Sequence, residues 1–194
     1  MLTGSIMKNR FFLFIFIAGL VLNISGYFIS DISKIFVKHP LFLDSTGSIF
    51  AGVILGPLMG AVTGFTSNLI LGVIHNPVNI PFSIVNAIIG FTAGLIAKRY
   101  GFAGIKSIMI SIILISVITS LAGAIVAFFV FGGVTGAKID LNIITIMNAG
   151  YKLFTSSFLV RIPVNLADKS ISILASFLII KYMNPDYRGN AVKQ

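Results

Sequence analysis

The sequence predicts an all-α integral membrane protein: one polytopic domain, 1–194, folded as a compact bundle of six transmembrane helices with both termini in the cytoplasm. Three observations carry this prediction. Of 194 residues, 57% are hydrophobic and only 10% are charged, whereas soluble chains carry about a quarter charged residues; the mean hydropathy is +1.04. Apolar stretches of roughly twenty residues recur along the whole chain, the length at which a helix crosses ~30 Å of hydrocarbon. Glycine and proline also sit inside these stretches, as in FLDSTGSIFAGVILGPLMGAVTGF over 42–65. In water each interior glycine would cost about 1 kcal/mol and an interior proline about 3 kcal/mol, so lipid is the more natural solvent.

The first span, 11–30, is too long for the apolar core of a cleaved leader, and no small-residue cleavage pattern follows it; it reads as a retained helix. Spans two and three, 43–55 and 58–74, are short and joined by Gly56-Pro57. That connection is too tight for a hydrophilic loop, so the pair reads as a helical hairpin or as partly broken helices. Proline is tolerated there because its missing N–H falls at a helix start. Gly52, Gly56, Gly60 and Gly64 recur every four residues across the pair, a spacing that lets backbones approach closely in lipid.

Spans four and five, 80–97 and 105–131, flank the basic stretch from Lys98-Arg99 to Lys106. The segment NIITIMNAGYKLFTSSFLVR, 142–161, is apolar enough to cross but contains Asn148, Gly150, Lys152 and Arg161; it is assigned as an interfacial or re-entrant element. After the break IPVN comes the last span, 164–182. Six spans place Lys8, Arg10, Lys98, Arg99, Lys106, Lys181, Arg188 and Lys193 on one side, and Lys34, Lys38, Lys138, Lys152 and Arg161 on the other. The richer side is cytoplasmic by the positive-inside rule, which predicts a multi-pass protein of the cytoplasmic membrane.

In this topology the uncommon polar groups gather toward the outer ends of the spans. Polar groups at membrane depth are costly and face protein or a water-filled cavity, so Asp44, Asn68, His75, Asn79, Asn86, Lys152, Arg161, Asn165 and Asp168 are the candidate substrate-binding residues. Structural duties compete with that role: Asp44 can cap the second span, and Asn76 and Asn79 can serve the turn around Pro77. Asp168 and Lys169 lie inside the last span, where adjacent helical positions do not face each other, so a local ion pair is not expected. Phe42, Phe82 and Tyr151 are aromatic candidates for the apolar part of a ligand.

Other chemistries lack residues. With no cysteine, two histidines and five acids, neither a metal cluster nor a disulfide is expected, and no cofactor. The net charge of +9 is spread along the chain and fits membrane topology rather than nucleic acid. No GxxxxGK[ST], HExxH or GxSxG motif occurs and no pair of carboxylates stands out, so no enzymatic activity is expected. Ala18 with Ser25, and Gly19 with Gly26, form a stripe of small residues at heptad spacing on the first span. Such a stripe is either an internal packing surface or a docking face for another membrane subunit.

The ordered segments LFLDSTGSIFAGVILGPLMGAVTGFTSNLILG, NPVNIPFSIVNAIIGFTAGLIAKRYG and RIPVNLADKSISILASFLIIKY resemble the substrate-binding S components of energy-coupling factor (ECF) transporters. The likeness covers about 41–181. It implies capture of a vitamin or related micronutrient at the outer face, under the loop between spans one and two. It also implies ATP-driven uptake with an ECF transmembrane subunit and two ATPase subunits. The family's docking motif has small residues four apart; here Ala18 is followed by Leu22 and Gly19 by Asn23, so docking carries over to Ala18, Gly19, Ser25 and Gly26 only at the heptad spacing. The alternative is a membrane sensor or receptor module, which the Asp-Gly-Gly-Pro hairpin style also resembles, working with a separate signalling partner.

Overall fold

The computed structural model describes residues 2–33, 41–137 and 139–183. Lys34, Lys38, Lys138, Arg188 and Lys193, which entered the charge count, and His39 lie outside the described residues. All regular structure among the described residues is helical: α1 Leu2–Ser33, α2 Thr46–Leu55, α3 Pro57–Ile74, α4 Asn79–Tyr100, α5 Ile105–Phe131, α6 Ile139–Asn148 and α7 Leu153–Tyr182. Five of these, α1, α3, α4, α5 and α7, are long and apolar enough to cross a membrane. Their outward faces carry large apolar side chains such as Phe14, Val21, Ile113 and Phe129. That is the surface a multi-pass protein presents to lipid.

The segment expected as span two is different. At 1.5 Å per residue the ten residues of α2 extend only about 15 Å, half a hydrocarbon core. The chain reaches α2 through a non-helical stretch, 41–45, that penetrates the bundle. At its far end α2 folds back onto α3 as a hairpin. Gly56, the hinge, has φ 97 and ψ 173, a backbone conformation open to glycine and strained for other residues. Pro57 then occupies the first turn of α3. A Cβ built on Gly60 would stand 2.6 Å from the Gly52 Cα, and one on Gly90 would collide with the Gly60 carbonyl. Glycine is what allows α2, α3 and α4 to touch backbone to backbone.

The last span starts eleven residues earlier than expected, at Leu153 rather than 164. Pro163 lies inside α7 and does not break it, because a proline costs a membrane helix one hydrogen bond while the surrounding ladder and neighbouring helices hold the rest. The stretch 142–161 therefore divides between α6, a turn containing Gly150 at φ 97, and the opening turns of α7. The buried apolar side chains of α6, Ile139 and Ile143, pack on Val160 of α7.

Side-chain pairing gives the directions of the helices. Asn23 of α1 reaches Ser48 of α2 and Ser67 of α3, Asn86 of α4 meets Ser48 and Asn68, and Asn165 of α7 meets Ser120 of α5. These contacts, with the Gly72 to Ile80 approach at the α3–α4 turn, run α1, α3 and α5 one way and α2, α4 and α7 the other. The start of α1 and the end of α7 thus share one end of the bundle with Lys98, Arg99 and Lys106. The α3–α4 turn and the α5–α6 connection lie at the opposite end.

Candidate functional site

The candidate region begins with the stretch 41–48, half-buried over 41–44 and buried from Ser45 onward. Non-helical backbone at membrane depth must find its hydrogen bonds within the protein, and here four side chains from three helices supply them. Asp168 Oδ1 on α7 accepts the N–H groups of Phe42 (2.9 Å) and Leu43 (2.8 Å). Asn23 Oδ1 on α1 accepts those of Gly47 (2.7 Å) and Ser48 (3.2 Å). Asn86 Nδ2 on α4 donates to the Asp44 carbonyl at 2.8 Å, and the Ser30 hydroxyl donates to the Leu41 carbonyl. Leu43, with φ 49, is the one described non-glycine residue on the left-handed side, a strain tolerated where surrounding bonds over-determine the backbone.

Behind this stretch Asp168 and Lys169, both almost fully buried, form an ion pair at 2.5 Å. This corrects the expectation from helical periodicity. Adjacent residues do point apart, but Lys169 is long enough to turn back, and the stretch 41–45 arrives from far away in sequence to hold both. Lys169 Nζ also donates to Ser45 Oγ at 2.8 Å.

In front of the stretch lies a cavity of about 110 Å³, at the end of the bundle that holds the α3–α4 turn and the α5–α6 connection. Phe42 and Asp44 form one wall, Asn68 and Asn79 another, Phe82 and Asn86 of α4 a third, and Arg161, Asn165 and Lys169 of α7 a fourth. Thr119 of α5, and Thr135 and Ala137 of the α5–α6 connection, complete it. Asp140 at the start of α6 shapes that connection by accepting the N–H groups of Thr135 (2.8 Å) and Ala137 (3.2 Å). Asp44 stands in the loop ahead of α2; its enclosure raises its carboxyl above the ordinary carboxylate range, opposed by the nearby Lys169 ammonium.

The structure brings six of the nine candidate residues to this cavity: Asp44, Asn68, Asn79, Asn86, Arg161 and Asn165. The other three stand elsewhere. Asp168 acts from behind, through the loop and Lys169. His75 ends α3 in the company of α1, its ring 5.3 Å from Tyr27 and 5.6 Å from Phe28, its Nε2 3.8 Å from Asp31. Lys152 precedes α7 on the exposed surface, and Tyr151 beside it is exposed as well. On the first span, Gly19 is buried against Gly47 and Thr63, and a Cβ on Gly26 would collide with the Leu43 carbonyl. Both glycines are taken up by packing within the chain. Ala18 packs on the apolar core, and Ser25 faces outward.

Two important residues were not singled out from sequence. Asn23 is fully buried, and its amide donates to Ser48 Oγ (2.7 Å) and Ser67 Oγ (2.8 Å) while its oxygen caps the first turn of α2. An amide in the middle of an apolar span was the available signal. Thr119 lines the cavity with its hydroxyl unpaired; a lone threonine in a span gives no such signal, because it ordinarily bonds back to its own helix.

Four buried side-chain polar atoms lack a hydrogen-bond partner among the described residues: Asn79 Nδ2, Thr119 Oγ1, Arg161 Nη2 and Ser172 Oγ. The first three belong to residues that line the cavity. Native proteins pair nearly all such groups, so three unpaired ones around a single cavity single it out as the candidate site, where a ligand or ordered water would complete them. No group of three His, Cys, Asp or Glu side chains converges among the described residues. Compared with family models, curated proteins and solved structures, the chain matches none of them.

Proposed function

We propose that this chain is a substrate-binding membrane subunit of the ECF type, which captures a vitamin or related micronutrient at the outer face of the cytoplasmic membrane. Uptake then requires an ECF transmembrane subunit and two ATPase subunits. The observation that carries this reading is the cavity with unpaired Asn79, Thr119 and Arg161 atoms at one end of the bundle. The charge distribution supports its orientation: Lys98, Arg99, Lys106 and Lys181 all belong to helix ends at the opposite end of the bundle. By the positive-inside rule that end faces the cytoplasm, which turns the cavity outward.

The loop 41–45 fits the same reading, because it forms one wall of the cavity and is held by side chains that touch it from α1, α4 and α7. Catalysis is not part of the proposal. The test is to purify the full chain in mild detergent and identify any copurifying small molecule by native mass spectrometry. Uptake of that compound is then measured in cells with and without a co-expressed energising complex. Partner-dependent accumulation supports the proposal; tight binding with no accumulation in either case removes the transport role.

A further inference from the structure

We infer that the cavity selects a small organic monoanion, a carboxylate on a flat apolar body, and that Arg161 is its anchor. This inference rests on reading the cavity as a binding site and names the ligand class. The starting point is an imbalance between two buried cations on the cavity wall. Lys169, 2% exposed, is compensated by Asp168 at 2.5 Å and by Ser45. Arg161, 4% exposed, has no carboxylate within ion-pair distance among the described residues.

What Arg161 does have is weak. Its Nε donates to Ser157 Oγ at 3.3 Å, and its guanidinium lies 5.9 Å from the centre of the Phe82 ring. Its Nη2 meets no acceptor. Asp140 attracts it through space, but the oxygens of Asp140 already accept from Thr135 and Ala137. A buried guanidinium left in this state is costly, and a planar group with two acceptor oxygens removes the cost by pairing with its fork of N–H donors.

The rest of the cavity narrows the class. Asn79 Nδ2 and Thr119 Oγ1 offer further hydrogen bonds to a bound acceptor. Phe82, Val85 and Ile89 provide an apolar wall against which a flat body packs, beside the ring that already carries the guanidinium. Lys169 is already engaged by Asp168 and Ser45. A dianionic phosphate would therefore find one free cation for two charges. One carboxylate fits; a second does not.

The test compares acids with their neutral isosteres on the purified full chain. Thermal unfolding in detergent is followed with benzoate and pyridine-3-carboxylate, and with benzamide and pyridine-3-carboxamide, at millimolar concentration. The acids are expected to raise Tm and the amides to leave it unchanged. Arg161→Gln is expected to weaken acid binding by on the order of tenfold or more, and Thr119→Val by less. Equal stabilisation by acids and amides, no stabilisation by either acid, or a copurifying compound that is neutral or cationic overturns the inference. Should Arg161→Gln fail to fold, the acid and amide comparison on the natural sequence still decides. Acid binding without cellular uptake leaves the anion site standing and removes the transport role, whereas energised uptake of a neutral compound does the reverse.

Discussion

Asn23 on α1 caps the first turn of α2 through Ser48: its oxygen accepts the Ser48 N–H at 3.2 Å, and its amide donates to the Ser48 hydroxyl at 2.7 Å. The hydroxyl in turn donates to Asn86 Oδ1 at 2.8 Å, so one serine ties α1, α2 and α4 together. Asn23→Ala leaves the Gly47 and Ser48 N–H groups without their acceptor and is expected to cost about 1–3 kcal/mol. Ser170→Ala, which removes only an exposed bond back to Leu166, is expected to stay within about 0.5 kcal/mol. Unfolding of both variants by denaturing detergent checks this, and equal stability would remove Asn23 from its central position.

The Asp168 and Lys169 pair is expected to show strong coupling. Removing either partner strands a buried charge, so Asp168→Ala and Lys169→Met should each cost about 3–5 kcal/mol. Removing both leaves no stranded charge. The double variant should therefore be less damaged than the sum of the two single ones, as a double-mutant cycle on detergent-solubilised protein measures directly. Additive losses would mean that the two side chains act independently.

Two glycines separate conformational strain from close packing. Gly56 has positive φ but nothing within 4 Å of a built Cβ, whereas at Gly90 the Cβ collides with the Gly60 backbone. Gly56→Ala and Gly56→Val are thus both expected to lose about 1–3 kcal/mol from the backbone alone, since φ 97 with ψ 173 is a conformation essentially reserved for glycine. At position 90 the loss should climb with side-chain size, since α3 and α4 must separate further. Thermal unfolding of the two Gly56 variants and of Gly90→Ala and Gly90→Val distinguishes the patterns.

The natural sequence contains no cysteine, which makes single-cysteine labelling clean. With the orientation proposed above, Val134→Cys, in the exposed α5–α6 connection, reacts with a membrane-impermeant maleimide in intact spheroplasts. Lys106→Cys, near the start of α5, reacts only after permeabilisation. The opposite pattern would turn the cavity toward the cytosol and end the uptake reading.

Much of this architecture was legible because lipid imposes simple demands. Apolar length announced the long helices, and Gly56-Pro57 announced a hairpin or a pair of broken helices, since no hydrophilic loop fits between two such runs. Less legible was everything that depends on distant chain segments meeting. The Asp168 and Lys169 pair was dismissed because helical spacing sees only neighbours on one helix, and its partners at Phe42, Leu43 and Ser45 come from the far side of the sequence. α2 read as a span because Leu43 was counted together with the apolar run 49–55, although the helix itself starts only at Thr46. Six of the nine candidate residues reached the cavity because intramembrane polarity points inward; His75 and Lys152 sit at helix ends, where polarity needs no such explanation.

The clamp on the loop also bears on how the protein is made. Phe42 and Leu43 leave the ribosome 126 and 125 residues ahead of the carboxylate that accepts their N–H groups. Until α7 is synthesised and inserted, those amides have no acceptor from Asp168, so the interior of the first three helices stays incomplete. A nascent chain that stops before α7 therefore carries two backbone N–H groups without the acceptor that the finished fold gives them.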